Sequence, residues 1–334
     1  MILALIGDTW QQSKQQGVFI FMLAMMALLL LVSIALPKTF VSPNDEKQFG
    51  LVIINSPISY FSQKWVDVYS ESLNLGNNSE DLDASRFSME EYVERRREQR
   101  LQNRQQRQLA VERASDLSNY QRAVEYYIYL VMGVMFTLTM FLFIAACSGY
   151  FPALLSSGAV DIVLSKPISR FKIYIAKYIG GVALYSFAIL VFSALLFVGI
   201  GMRTGIWHAR IFYCAPLMIF TAMVLYGILS LIGTVTKSST MAVLLGFVLY
   251  AVIDSSIALL LSYQDVFASF GWEKVNAICS VLRNVLPNFD ILKDQAVASV
   301  LNVPAFQVQP FVVSFVWLVA SVGLGYLVFS KRDF

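Results

Sequence analysis

One acidic residue lies well inside an apolar stretch of the sequence, Asp254, and Ser255 and Ser256 follow it directly. A carboxyl group in hydrocarbon is costly unless it is protonated, paired or hydrated, so such a residue is a functional candidate by default. We predict that these three residues line a translocation path and face a polar cavity between two protomers. The alternative is that Asp254 lies near the outer end of its span and simply reaches water.

Sequence motifs for catalysis are missing. The chain has no Gly-x-x-x-x-Gly-Lys-Ser/Thr loop to hold ATP phosphates, no His-Glu-x-x-His, no Cys-x-x-Cys and no Ser/His/Asp set. Its one histidine is His208, and we interpret its three cysteines as small apolar filler: Cys147, Cys214 and Cys279. We therefore expect no catalytic residue, no metal site and no bound cofactor on this chain, which we do not interpret as an enzyme.

Residues 149–178 mix apolar and basic side chains. Leu154, Leu155 and Ile162 recur at helical spacing, which favours a short amphipathic helix along the membrane that stops at Pro167. A basic run follows at Lys166, Arg170, Lys172 and Lys177. Two interpretations are open: a solvated loop whose bases meet anionic lipid, or a docking element that carries force from a soluble partner into the membrane.

The composition indicates a protein of the bilayer. The 334 residues are 57% hydrophobic and only 14% charged, against about 25% charged in soluble domains. A net charge of +3, with glutamates interleaved among the arginines at 95–97, argues against a nucleic-acid partner.

Six apolar stretches are long enough to cross roughly 30 Å of hydrocarbon: 17–36, 126–147, 178–200, 212–234, 241–261 and 310–329. The fold class expected is an all-α integral membrane protein with six transmembrane helices. A cleaved signal peptide competes for residues 1–36, but the apolar run is longer than a typical signal core and only Lys14, balanced by Asp8, precedes it. We favour a retained first span.

Residues 37–125 form a charged segment that holds 12 of the 25 basic and 14 of the 22 acidic residues. Residues 49–54 are typical of a strand, and Ser88 with Glu91 fits a capping box. No Gly or Pro follows before Gly133, so we predict one helix from about Met89 straight into the second span. This segment is either a solvated stalk or an arm that binds an extracytoplasmic partner or gates a substrate.

Basic residues in the short loops predict the orientation. The side with both termini and the loop 148–177 carries eight, and the opposite short loops carry five. We therefore place both termini and 148–177 in the cytoplasm, with 37–125 and 262–308 outside. Within 262–308, residues 275–285 and 291–300 are predicted as short helices.

Residues 157–170 and the following 176–180 resemble the cytoplasmic segment of ABC-2 type transporter permeases. Further matches are Thr236-Lys237-Ser238-Ser239-Thr240, Leu286-Pro287-Asn288-Phe289-Asp290 and the ending Lys331-Arg332-Asp333-Phe334. The resemblance covers roughly residues 126–334 and the first span. In that family this segment holds a coupling helix, which sits in a cleft of the cognate ATPase.

The resemblance implies a permease subunit of an ATP-driven exporter in the inner membrane of a prokaryote. Two such subunits, identical or related, would bind two copies of a separate ABC ATPase, which holds the ATP and Mg, and 262–308 would form an outer hairpin that caps the path. We expect ATPase contacts at Leu155, Gly158, Asp161, Leu164 and Lys166, and membrane-surface anchoring by Arg170, Lys172 and Lys177. The alternative function is a non-transporting scaffold that recruits an assembly partner through 37–125.

Overall fold

The computed structural model describes residues 18–42, 46–54, 56–74, 89–155, 169–263, 273–303 and 307–331, and these are mostly helical. Within these residues, five helical stretches are long and apolar enough to cross a membrane: Asn119–Leu154, Arg170–Thr204, Ile211–Thr236, Ser239–Leu261 and Val308–Ser330. They overlap the second to sixth predicted spans. The first predicted span corresponds to a shorter apolar helix.

The N-terminal part combines helices with a small sheet. Its elements are α1 (Val18–Ala35), β1 (Pro37–Val41), β2 (Lys47–Leu51), β3 (Ser56–Pro57), α2 (Ser59–Asn74) and α3 (Met89–Ser115).

The rest of the described chain forms the helix bundle and its outer helices. Its elements are α4 (Asn119–Cys147), α5 (Tyr150–Leu154), α6 (Arg170–Thr204), α7 (Ile211–Thr236), α8 (Ser239–Phe247), a π-helical segment (Val248–Asp254), α9 (Ser255–Ser262), α10 (Glu273–Val285), α11 (Phe289–Ala298), a 3-10 turn (Ser299–Leu301) and α12 (Val308–Ser330).

Helix α7 lies at the centre of the bundle and packs against α4, α6, α8, α11 and α12. It is apolar on all sides, as expected for a buried helix. A column of buried aromatic rings fills the space around it. The Tyr226 ring stacks on Tyr178 at 5.2 Å and lies 5.7 Å from Phe143, which in turn contacts Tyr185 at 4.4 Å.

The prediction of one unbroken helix from Met89 into the second span is wrong. Helix α3 ends at Ser115, and α4 begins at Asn119. Ser118 starts the new helix, because its hydroxyl accepts from the backbone N–H of Gln121 at 3.1 Å while the Gln121 amide oxygen accepts from the Ser118 N–H at 3.0 Å. A capping box therefore separates the two helices. The one predicted at Ser88 lies outside the described residues.

The mostly helical structure is consistent with the predicted all-α membrane protein, and residues 37–57 add a small three-stranded antiparallel sheet in the order β1-β2-β3. Pro37 pairs with Leu51 and Val41 with Lys47, so β2 runs back toward the end of α1. The predicted strand at 49–54 is shifted to Lys47–Leu51, and a turn occupies 52–54. Helix α2 was not predicted.

Two short helices follow α9, as the sequence predicted. Helices α10 and α11 flank residues 286–288, and the Asn288 amide donates to the Arg283 carbonyl at 2.8 Å. Helix α11 packs against α7 and α4 and also contacts α2. It therefore connects the bundle to the charged segment.

Candidate functional site

The short helix α5 is wedged into one end of the bundle. Tyr150 is fully buried, and the Phe151 ring, 1% exposed, lies 4.8 Å from the Tyr174 ring and 5.9 Å from the Tyr226 ring. Pro152 lies against Gly233 so closely that a Cβ there would be 3.0 Å from the proline Cδ. Because α5 contacts both α6 and α7 through buried rings, a displacement of α5 must move those helices or break their packing.

The predicted coupling segment leaves directly from α5. Leu155, half-buried against the core, ends α5, and its N–H donates to the Phe151 carbonyl at 3.2 Å. Residues 156–168 follow, and they lie outside the described residues. Of the predicted ATPase contacts, the structure thus places only Leu155; the other four, Gly158, Asp161, Leu164 and Lys166, lie in the segment that it does not describe.

Helix α6 starts where the chain is described again. The Ser169 hydroxyl accepts from the Lys172 N–H at 3.4 Å, and the Arg170 guanidinium donates to the Ser330 carbonyl at 2.8 Å. This bond joins the start of α6 to the end of α12. Lys172 is exposed, which fits anchoring at the headgroups, whereas Lys177 is only 5% exposed. The Lys177 side chain is thus enclosed by the bundle in this chain, and anchoring of Arg170, Lys172 and Lys177 at the membrane surface stays a prediction.

An open groove of about 930 Å³ runs between the end of α4 and the helix pair formed by α8 and the π segment. Hydroxyl groups lie at the end of the groove next to α5, where α4 ends and α8 begins. Aliphatic and aromatic side chains line the remainder of the groove. Lining residues include Ser148, Ser239, Thr240, Val243, Phe247 and Val252. The groove can take a molecule with a polar end and an apolar body.

The π segment, Val248–Asp254, forms part of the groove wall. A π turn closes its hydrogen bonds over five residues and is wider than an α turn, and such turns are frequent at functional sites. Here it rotates the residues beyond it relative to a continuous α-helix, and Asp254 is its last residue. The sequence contains no signal that predicts it.

Asp254 meets a helix end. Its carboxylate Oδ2 accepts from the backbone N–H of Asp290 at 2.7 Å, in the first turn of α11. This is the position that an N-terminal capping side chain occupies, although Asp254 comes from another helix. Ser255 and Ser256 are exposed. Among the described residues the groove ends at Val252 and does not include these three. Their predicted place on a path between two protomers stays a prediction.

A buried polar cluster lies where α2, α4 and the α6–α7 turn meet. Glu125, 6% exposed, accepts from the Trp65 indole N–H at 3.0 Å. The His208 Nδ1 and Arg210 Nη1 atoms lie 3.7 and 3.9 Å from the other carboxylate oxygen, and the His208 Nε2 donates to the Val300 carbonyl at 2.9 Å. Sequence reasoning missed this cluster. The sequence did carry a signal for it: an acidic residue, Glu125, at the start of an apolar stretch, and the single histidine, His208.

Within the described ranges, no group of three or more His, Cys, Asp or Glu side chains lies close enough to hold a metal ion. The three cysteines are buried and form no disulfide.

The family described as ABC-2 family transporter protein matches this chain over residues 49–334. Neither the curated proteins nor the solved structures contain a significant match to the chain. The matched range includes the charged segment from β2 onward as well as α5, the groove and α11.

Proposed function

Because the chain belongs to the ABC-2 family of transporter proteins and is a permease subunit of an ABC transporter, we propose that ATP hydrolysis by a separate ATPase drives export through it. In this proposal two permease subunits, identical or related, bind two copies of the ATPase. The chain itself carries no Gly-x-x-x-x-Gly-Lys-Ser/Thr loop, so ATP and Mg bind the partner.

The observation that carries the proposal is the position of α5. The matched family range includes it, and the predicted coupling segment 156–168 leaves directly from it. We propose that the ATPase pushes on 156–168 and that Phe151 passes this movement to Tyr174 on α6 and Tyr226 on α7. Interlocked rings are suited to this task, since a close-packed core transmits displacement with little compression.

The groove beside α5 is the candidate for the substrate path. Its wall of α8 and the π segment presents exposed apolar side chains such as Leu244 and Val252, which lipid or a second subunit would cover. We propose that substrate moves along this groove when α6 and α7 shift, with the second permease subunit closing its open side. Asp254 then lies above the groove, where it holds α11.

We also propose an orientation of the chain in the membrane. We place both termini and 156–168 in the cytoplasm of a prokaryote and the sheet with α2 and α3 outside the inner membrane, since the short loops on the terminal side carry more basic residues. Labelling with a membrane-impermeant maleimide tests this, because all three native cysteines are buried. In intact cells Lys47→Cys should react and Lys237→Cys should not; the reverse pattern would overturn the orientation.

The main experiment compares Phe151→Ala with Phe187→Ala. Both variants remove the same ring, but Phe187 is 64% exposed on α6 and Phe151 is 1% exposed. The subunit is purified in mild detergent with any bound ATPase, and ATP hydrolysis is measured in lipid. We expect a stoichiometric ATPase in all preparations and altered hydrolysis by the complex only with Phe151→Ala.

Two results would overturn the proposal. One is a purified particle that never contains a nucleotide hydrolase. The other is unchanged coupling in Phe151→Ala together with unchanged coupling in Gly158→Asp, a variant within the predicted ATPase contact. Retention of an outer partner without any ATPase would instead favour the scaffold function.

A further inference from the structure

Three consecutive aliphatic residues are exposed at the tip of the small sheet. Val52, Ile53 and Ile54 form the turn after β2, with 46, 79 and 56% of their surfaces exposed. Single exposed aliphatic residues are common on proteins, but a contiguous apolar turn at the surface indicates that something covers it.

The sheet is oriented so that this turn is its end nearest the membrane. The β1 strand leaves the apolar helix α1 through Leu36, and β2 returns antiparallel to it, pairing Leu51 with Pro37. The Val52 N–H donates to the Leu36 carbonyl at 2.9 Å, so the turn lies level with the last residue after α1. At the other end of the same strands, Val41 pairs with Lys47, beside Glu46.

A second helix end fixes the same level independently. The Arg203 side chain at the end of α6 donates from Nε to the Pro37 carbonyl at 2.9 Å. Next to it, Met202 is 72% and Trp207 57% exposed, and the Trp207 ring packs on Phe197 at 5.3 Å. An exposed Trp beside an exposed apolar residue and an Arg at a span end is the pattern of the membrane interface. The Pro37 and Leu51 end of the sheet is therefore at headgroup depth.

We propose that residues 52–54 insert into the lipid leaflet on the side of residues 37–125 and anchor the sheet to the membrane. The occupant of the exposed turn is hydrocarbon, because the ends of α1 and α6 place the turn at the bilayer boundary, whereas the opposite end of β2 carries the exposed charged residues Glu46 and Lys47. Moving these aliphatic side chains from water into hydrocarbon lowers the free energy in proportion to the apolar surface removed from water. The inference goes beyond the proposed transport function and does not depend on an ATPase.

The arrangement gives the sheet a role. Through Leu36 and Pro37 it is joined to the ends of α1 and α6, and the turn adds a third point of attachment, to the lipid itself. The contact holds the sheet against the membrane surface while α2 packs above it on α4. A change in the thickness or packing of that leaflet would act on the sheet directly.

The test places an environment-sensitive fluorophore at Ile53→Cys in the full-length protein, with Lys47→Cys at the opposite end of β2 as the matched control. The native cysteines are buried and will react slowly. Both proteins are reconstituted in phosphatidylcholine–phosphatidylglycerol vesicles, with and without phospholipid that carries a nitroxide quencher near the headgroup end of its acyl chain.

We expect blue-shifted emission and several-fold stronger quenching by the labelled lipid at position 53 than at position 47. Equal quenching at the two positions would overturn the inference. Blue-shifted emission at 53 without lipid quenching would also overturn it, since a second copy of the chain or another protein would then cover the turn.

Discussion

Glu125 gives the most direct test of how the outer helices are held to the bundle. It joins α4 to Trp65 on α2 through a 3.0 Å bond, and the α6–α7 turn approaches it through His208. Replacing Glu125 with Ala removes the acceptor of a fully buried indole N–H and leaves the nearby Arg210 side chain without a carboxylate. We expect α2 to dock more weakly on α4.

The magnitude follows from burial. Leaving a buried donor without its acceptor costs about 1–3 kcal/mol. At about 1.4 kcal/mol per tenfold change, the opening equilibrium of α2 should rise by a factor of about 5 to 140. Glu125→Gln retains an oxygen that can accept from Trp65, so only the charge is lost. Hydrogen bonds to charged acceptors exceed neutral ones by about 1 kcal/mol, which predicts roughly a fivefold change.

Hydrogen exchange of the full-length protein in nanodiscs measures this opening. Amides of residues 59–74 should exchange fastest in Glu125→Ala, less fast in Glu125→Gln, and at the native rate in Glu112→Ala, which changes an exposed glutamate on α3. If Glu125→Ala is folded and its 59–74 segment exchanges at the native rate, the cluster does not hold α2. The apolar contacts of Trp65 and Tyr69 would then be sufficient.

Three further outcomes follow from the structure. Asp254→Ala removes the acceptor of the Asp290 N–H, so it should destabilise α11 by about 0.5–2 kcal/mol and increase hydrogen exchange there. Asp254→Asn keeps an oxygen that can accept this bond and should increase exchange less. Equal effects of the two variants would argue against capping. Burial, aided by the charge of Asp290, raises the pKa of Asp294 to about 6, so docking of α11 should be strongest below about pH 4 and weaken as pH rises through 6. The effect should be small, because the Asp294 side chain is 42% exposed, and it should vanish in Asp294→Asn when exchange is compared at pH 4 and 7. Gly181→Val should lower the unfolding temperature, since even a Cβ there would lie 2.6 Å from the Tyr226 ring, while Gly323→Ala, with open space around it, should not.

Hydropathy was sufficient to place the long apolar helices. Each predicted span from the second to the sixth overlaps a helix, because only a helix satisfies its own backbone groups in hydrocarbon. The link between α7 and α8 is tight, because Lys237 adopts a left-handed conformation and Ser238 caps α8. The prediction of one unbroken helix rested on the absence of Gly and Pro and did not consider the capping box that Ser118 and Gln121 form.

The candidate site was less predictable, for physical reasons. The groove exists because α4 and α8 approach each other, and a single sequence does not encode that distance in any local pattern. The contact that Asp254 makes was not predicted, because an acid in an apolar stretch indicates a need for a partner but not which partner. Here the partner is a backbone N–H 36 residues away.

Helix α6 has 35 residues and is therefore about 52 Å long, more than the roughly 40–45 Å of a bilayer with its headgroups. One end is tied to α12 by Arg170, and the other is tied to β1 by Arg203. A rigid rod of this length that tilts by about 10° around its middle moves its two tips by about 4–5 Å in opposite directions. The helix can thus act as a lever: a displacement that Phe151 passes to Tyr174 near one end would reach β1 through Arg203 at the other.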